Sequence, residues 1–221
     1  MRIASALAAA ALCASTAAAA PDPKAAPSSV ITGEAKHDAA LDPVFKLFKL
    51  DRMRATFTEE KSVKLLAHPL RSTGTIVFSR DRGVARLTTK PKVTSVVITP
   101  TTLKFKDANH SEEIPLDKSK DLKAFALIFP SVLRGDRVAL EKSFAIGLYG
   151  SDTDRWALVF TPKTDSLKKL VAKIAVYGTR GDLTGVDITE TSGDTTVLTL
   201  SDLKNNGDVA DSEITAAFGA L

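Results

Sequence analysis

The sequence predicts an α+β chain: a single antiparallel sheet curled into an incomplete β-barrel, with a lid of about three helices over an apolar cavity. Three observations predict it. Strand-like segments follow one another through loops too short for parallel crossovers, so neighbouring strands run antiparallel. Roughly nine to eleven such segments stand against about three helical ones, and a sheet that large curls because strands twist. One face of most strands is large and apolar, and the mid-chain helical stretch is unusually apolar too, so each covers the other.

The chain opens MRIASALAAAALCASTAAAA: a basic residue, an apolar run from Ile3 to Leu12, then small residues up to Ala20. These are the three regions of a secretory signal peptide over residues 1–20, with an apolar run too short for a permanent membrane helix. The single cysteine, Cys13, falls inside it and follows Leu12, where a lipidation site wants a small residue. The mature chain then has no cysteine and folds without disulfides. Its roughly 200 residues suit one domain with a sizeable core. Loss of Arg2 lowers the formal charge from +4 to +3, leaving 29 basic against 26 acidic residues. With the charges dispersed and only two Tyr and one Trp, nucleic-acid binding has no support.

Residues 21–35 are rich in Pro, Ala and Ser and read as a flexible linker, leaving 36–221 as the folded domain. Leu41, Val44, Phe45 and Phe48 recur at helical spacing, so Asp38–Leu50 is expected as a helix with one apolar stripe, Asp42-Pro43 in its first turn. Arg54–Leu66 alternates as a first strand around Phe57. From Gly74 to Phe105 the β-branched residues dominate, with turns at Asp81-Arg82-Gly83, Lys90-Pro91 and Thr99-Pro100. By the period of two, Ile76, Phe78 and Arg80 share a face, which sets an arginine among apolar side chains. Asp107, His110, Glu112 and Glu113 cluster in a polar stretch, but at no ligand spacing, and read as a solvated loop or hairpin turn.

Ser119–Gly135 returns to helical spacing through Leu122, Phe125, Phe129 and Leu133, and Pro130 is expected to split it into two short helices. Strands then resume: Leu140, Phe144, Ile146 and Leu148 alternate, as do Trp156, Leu158 and Phe160, then Ile174 and Val176, then Val186 and Ile188, then Val197 to Leu200. The last residues offer one more short helix or strand. There is no GxSxG, P-loop, GxGxxG or HExxH, and no cysteine nucleophile remains, so no enzyme chemistry is indicated. His37, His68 and His110 are scattered. No cofactor is indicated. The residues expected to line the cavity are Phe57, Ile76, Phe78, Leu103, Phe105, Phe125, Phe129, Phe144, Ile146, Trp156, Leu158 and Phe160, the parity of each strand being relative.

The order of ATFTEEK (55–61), GTIVFSRDRGVARLTTKP (74–91), VVITPTTLKF (96–105), the apolar helical pair and GDTTVLTLSDL (193–203) resembles the periplasmic outer-membrane lipoprotein carrier family, LolA, over about residues 38–218. The resemblance implies a monomeric, non-enzymatic carrier in the periplasm of a Gram-negative bacterium. It would take the acyl chains of lipoproteins from an inner-membrane ABC-type release complex to an outer-membrane lipoprotein receptor. It assigns Arg80 as a lid latch bonding lid carbonyls in the empty state, and adds Val84 to the cavity. The chain departs from the family pattern at Asp81, where proline is usual, at Val84, and at Arg86, where an aromatic is usual. Those departures leave open a same-fold carrier for a non-protein lipid or glycolipid.

Overall fold

The computed structural model describes residues 30–150 and 154–219. The signal peptide expected over 1–20, Cys13 with it, lies outside the described residues, as does most of the expected linker. A 3₁₀ turn, Asp38–Leu41, leads into α1 (Asp42–Leu47). Six strands follow: β1 (Arg52–Ser62), β2 (Leu70–Ser79), β3 (Gly83–Lys90), β4 (Thr94–Ile98), β5 (Thr102–Lys106) and β6 (Ser111–Pro115). Three short helices come next, α2 (Lys120–Ala126), α3 (Ile128–Arg134) and α4 (Arg137–Glu141). The second half is β7 (Phe144–Gly150), β8 (Arg155–Pro162), α5 (Asp165–Lys168), β9 (Val171–Thr179), β10 (Asp182–Glu190), β11 (Thr195–Asn205) and α6 (Asp211–Phe218).

All eleven strands form one sheet in the order β6-β5-β4-β3-β2-β1-β11-β10-β9-β8-β7. Every pairing is antiparallel. β6 and β7 are the two edges, so the sheet does not close into a barrel. This order explains where the helices lie. The first half of the chain walks from the centre to one edge, the second half starts at the opposite edge, and β1 meets β11 in the middle. The segment joining β6 to β7 must therefore cross the sheet, and its apolar α2–α4 are what crosses it.

Alternation separates the two faces. Met53, Ala55 and Phe57 of β1 pair in register with Phe78, Ile76 and Gly74 of β2. These apolar side chains belong to one large core that also takes Leu41, Val44, Phe45 and Phe48 from the α1 region and Ile128, Val132 and Leu133 from α3. This is the concave side. On the convex side, Val77, Ala85 and Val97 pack under Ile214 and Ala217 of α6. Further along, Ala157, Val159, Ala175 and Tyr177 are covered by Val30 and Ile31, with Tyr149 beside them. Burying side chains of this size stabilises by about 1.5–3 kcal/mol each, which is the dominant favourable term for a chain folding without disulfides.

Five expectations are corrected in detail. Leu140, expected in one strand with Phe144, Ile146 and Leu148, lies instead in α4, and β7 begins only at Phe144. The helix expected over 38–50 is a 3₁₀ turn followed by the six-residue α1. Pro43, at the start of α1, has no N–H to donate and its fixed φ begins a new helix. The break in the mid-chain helices falls at Leu127, three residues before Pro130. Proline clashes with the carbonyl four residues upstream, here Ala126, so α2 must end there while Pro130 sits inside the first turn of α3. The first strand runs from Arg52 to Ser62, two residues earlier than expected, and ends sooner. Finally, Val30 and Ile31, assigned to the flexible linker, pack on the convex face, and Lys36 bridges to Leu148 at the β7 edge.

The polar cluster spans the β5–β6 hairpin turn, with Asp107 and His110 in the turn and Glu112 and Glu113 in β6. The Asp107 carboxylate accepts hydrogen bonds from the backbone N–H groups of Asn109 and His110, both at 2.8 Å, which hold its pKa below the ordinary carboxylate range. Among the described residues, no group of three or more His, Cys, Asp or Glu side chains is placed to hold a metal ion.

Candidate functional site: the concave face and its helical cover

Nine of the expected cavity residues meet in the concave core: Phe57, Ile76, Phe78, Val84, Phe144, Ile146, Trp156, Leu158 and Phe160. Phe125 and Phe129, from α2 and α3, are partly exposed and pack against it. Leu103 lies in a neighbouring cluster with Leu116, Leu122 and Ala126, beneath α2. Phe105 is buried nearer the β6 edge, where its ring lies 6.4 Å from that of His110.

The face is closed on itself. Trp156 is fully buried, its ring edge-on to Phe48 of the α1 region at 5.0 Å, while Phe144 and Phe160 interlock at right angles, 6.3 Å apart. The Trp156 indole N–H donates to the Arg180 carbonyl at 3.0 Å, so the buried indole keeps its hydrogen bond. A cleft of about 680 Å³ opens on the convex side, between Phe218 and residues such as Val97, Thr102, Lys104 and Glu113, and none of the expected cavity residues lines it.

At the rim, the helices are tied to the sheet and to α1 by polar contacts. Arg80 lies one residue past the end of β2, so the alternation that would have placed it on the concave face has stopped. Its guanidinium donates to Asp51 at 2.8 Å, and its backbone N–H donates to the Asp51 carbonyl, also at 2.8 Å. The bond to the lid runs in the opposite sense from the one the resemblance implies. Arg134, the last residue of α3, donates from Nη2 (2.9 Å) and Nε (3.3 Å) to the carbonyl of Arg80.

Gly135 closes α3 in the left-handed conformation, φ 70°. A Cβ there would overlap the Phe48 carbonyl and crowd that of Phe45, so glycine lets α3 seat against the end of α1. Arg137 of α4 reaches back to the Asp38 carbonyl and the Asp42 carboxylate, both at 2.7 Å, and pairs with Glu141 on its own helix.

The concave face changes character along β1. Beyond Phe57 the same face carries Glu59 and Lys61. Arg86 of β3 lies over the Phe57 ring, 4.4 Å from its centroid, and pairs with Glu59 at 3.0 Å. Lys61 pairs with Glu190 at 2.8 Å. Burial disfavours the charged form of Arg86 and holds its pKa below the ordinary value, an effect that the charge and hydrogen bond of Glu59 only partly oppose. In the sequence Arg86 stands out only as a departure from the family pattern. The signal that would have placed it was available: Arg86 follows Val84 by two residues, hence the same face, while Glu59 follows Phe57 by two. The contributions of α1 and α3 were legible as helical stripes, but nothing in the stripe says which sheet face receives it.

The fold and site together define an unclosed antiparallel sheet with one face roofed by apolar helices. A family described as outer membrane lipoprotein carrier protein LolA-like matches residues 35–219, and the chain belongs to that family. Among solved structures, the chain is similar to the LolA superfamily protein NE2245 from Nitrosomonas europaea, at 16% identity over 79% of this chain and 94% of that one, TM-score 0.43. It is similar also to an outer membrane lipoprotein-sorting protein domain from Vibrio parahaemolyticus, at 13% identity over 73% and 88%, TM-score 0.39. A third similar structure is the MucA/MucB complex of Pseudomonas aeruginosa, at 13% identity over 79% of this chain and 59% of that one, TM-score 0.45. No curated protein sequence matches the chain.

Proposed function

We propose that this chain is a periplasmic carrier that binds the acyl chains of lipoproteins on its concave face and moves them from the inner to the outer membrane. The observation that carries this reading is the continuous apolar core shared between the sheet's concave face and helices that cross it. Exposing a CH₂ to water costs about 0.8 kcal/mol, so a cargo with two or three chains of roughly sixteen carbons costs tens of kcal/mol to leave in the aqueous periplasm. An apolar face that opens and recloses removes that barrier. In the empty state its own side chains fill the space, and acyl chains replace those contacts when the helices lift.

Export follows from a cleaved signal peptide, and the carrier works as a monomer. Among the described residues no helix is long and apolar enough to cross a membrane. Its docking partners are an inner-membrane ABC-type release complex and an outer-membrane lipoprotein receptor. The chemistry is transfer without bond cleavage. A second reading, a carrier of a non-protein lipid or glycolipid, is favoured by one feature: a paired arginine, Arg86, at the end of the apolar face.

Native and then denaturing mass spectrometry of the protein purified from periplasm without detergent tests both. Bound acylated protein supports the first reading, and a bound lipid without protein supports the second. A protein that is empty and also ignores added lipoprotein and fluorescent acyl probes overturns both.

A further inference from the structure

Where the apolar half of the concave face meets its polar half, the side chains are assembled with unusual care. Arg86 Nη2 is shared between Glu59 Oε1 at 3.0 Å and Ser72 Oγ at 3.1 Å, and Ser72 Oγ itself donates to Glu59 at 3.2 Å. The guanidinium rests on Phe57, whose opposite neighbours are the apolar core. Gly74 makes the seat possible. A Cβ at that position would overlap the Leu87 carbonyl and also crowd the Phe57 ring edge and the Thr88 backbone, both at 2.8 Å.

Three polar atoms in this small region are buried without a hydrogen-bond partner among the described residues: Arg86 Nε, Thr88 Oγ1 and Thr94 Oγ1. Thr88 follows Arg86 by two on β3, on the same face, and pairs directly with Thr94 of β4. Buried polar groups are nearly always satisfied, so three together at one place ask for an acceptor. Each can donate.

The charge already present decides what kind of acceptor. Arg86 is neutralised by Glu59 and Lys61 by Glu190, so the region carries no net charge to offer. An incoming carboxylate or phosphate would lie beside Glu59, like charge against like charge in a shielded place. A neutral carbonyl oxygen meets no such penalty.

We propose that Arg86, with Thr88 and Thr94, anchors the ester or amide carbonyl oxygens at which acyl chains join their headgroup, the chains themselves lying past Phe57 in the apolar half. This rests on the carrier reading above and adds the residues that hold the acyl linkage and discriminate it from a free fatty acid. The three atoms are sealed in the closed arrangement, and the linkage reaches them once the face opens to admit the chains.

Isothermal titration of the full mature chain with matched probes tests it. The probes are dioctanoylglycerol, its dioctyl diether lacking carbonyls, sodium octanoate, and a cysteine peptide S-linked to dioctanoylglycerol. The expected result is that both diesters bind about tenfold or more tightly than the diether, the worth of a hydrogen bond from a charged donor. A further gain for the cysteine peptide identifies a protein-borne diester, and equal binding of the two diesters identifies the glycerolipid linkage itself. Arg86→Met, or the double variant with Glu59→Gln that leaves no lone buried charge, brings the diester-to-diether ratio to about one. Thr88→Val lowers the ratio in a chain whose ion pair is intact, which guards against misfolding of the arginine variants. Diester and diether binding alike in the wild type, with Arg86→Met changing nothing, overturns the anchor while leaving the carrier. Octanoate as the preferred probe overturns it in favour of an anion site. Failure of every probe overturns the carrier reading itself.

Discussion

Arg134 donates two hydrogen bonds to the carbonyl of Arg80, at 2.9 and 3.3 Å, and so joins the last turn of α3 to the loop leaving β2. The donor is on the lid and the acceptor is main chain. Replacing the Arg80 side chain therefore leaves the acceptor in place and removes only the half-exposed pair with Asp51, worth below about 1 kcal/mol. Arg134→Met removes the donor and is expected to cost about 1–2 kcal/mol in stability. Uptake and release of a fluorescent acyl probe should accelerate in Arg134→Met and change little in Arg80→Leu. The reverse order would make the Arg80 guanidinium the latch after all.

The strands and their turns were legible because β-branched runs, turn dipeptides and alternation agree with one another from Gly74 to Leu200. Arg80 shows where such reading stops. Its parity with Ile76 and Phe78 is sound only while the strand lasts, and β2 ends at Ser79. Arg86 shows the converse: it shares a face with Val84 by simple alternation, but an arginine on an apolar face has no meaning until Glu59 and Phe57 are seen beneath it. What sequence could not supply is long-range strand pairing: β1 against β11 brings Phe57 opposite Leu200 across a separation that no local pattern encodes.

The convex face carries an expected pH dependence. The Tyr177 hydroxyl donates to Asp187 at 2.9 Å, while the second Asp187 oxygen is buried without a partner. Desolvation pushes the Asp187 carboxyl above its ordinary value, with the Tyr177 bond and Lys173 only partly opposing this. The folded state then binds a proton more tightly than the unfolded one, so this group's contribution is fully present below about pH 4 and is lost as pH rises through the raised value. Tyr177 is likewise raised, by burial and by Asp187, so stability falls again from about pH 10 upward, where the unfolded phenol ionises and the folded one does not. Asp187→Asn should flatten the acid-side slope and shrink the alkaline loss in urea midpoints measured across pH. An unchanged profile would assign the pH dependence elsewhere.

Gly178 of β9 lies directly beneath the Trp156 ring, and a Cβ there would occupy the space of the indole itself. Trp156 cannot retreat easily, being held by Phe48 on one side and by its bond to the Arg180 carbonyl on the other. Gly178→Ala is therefore expected to cost about 3 kcal/mol, the upper end for overpacking a filled core. The chemical-denaturation midpoint measures the loss, and tryptophan emission should shift to the red as the indole is displaced. A variant as stable as the parent would mean that the Phe48 contact yields freely.

That same indole can report where cargo goes, because Trp156 is the only tryptophan in the sequence and is fully buried in the concave core. Bromine quenches tryptophan only at close range, so a fatty acyl chain brominated near its end tests the site directly. Chains that enter between α1 and the sheet pass beside Phe48 and Trp156 and should quench strongly. Chains that settle in the convex cleft by Phe218 and Val97 lie across the sheet and should leave the emission nearly unchanged. Arg134→Met should speed the onset of quenching without changing its final extent, since it loosens the rim and not the floor. Binding detected by titration with no quenching at all would move the acyl site off the concave face.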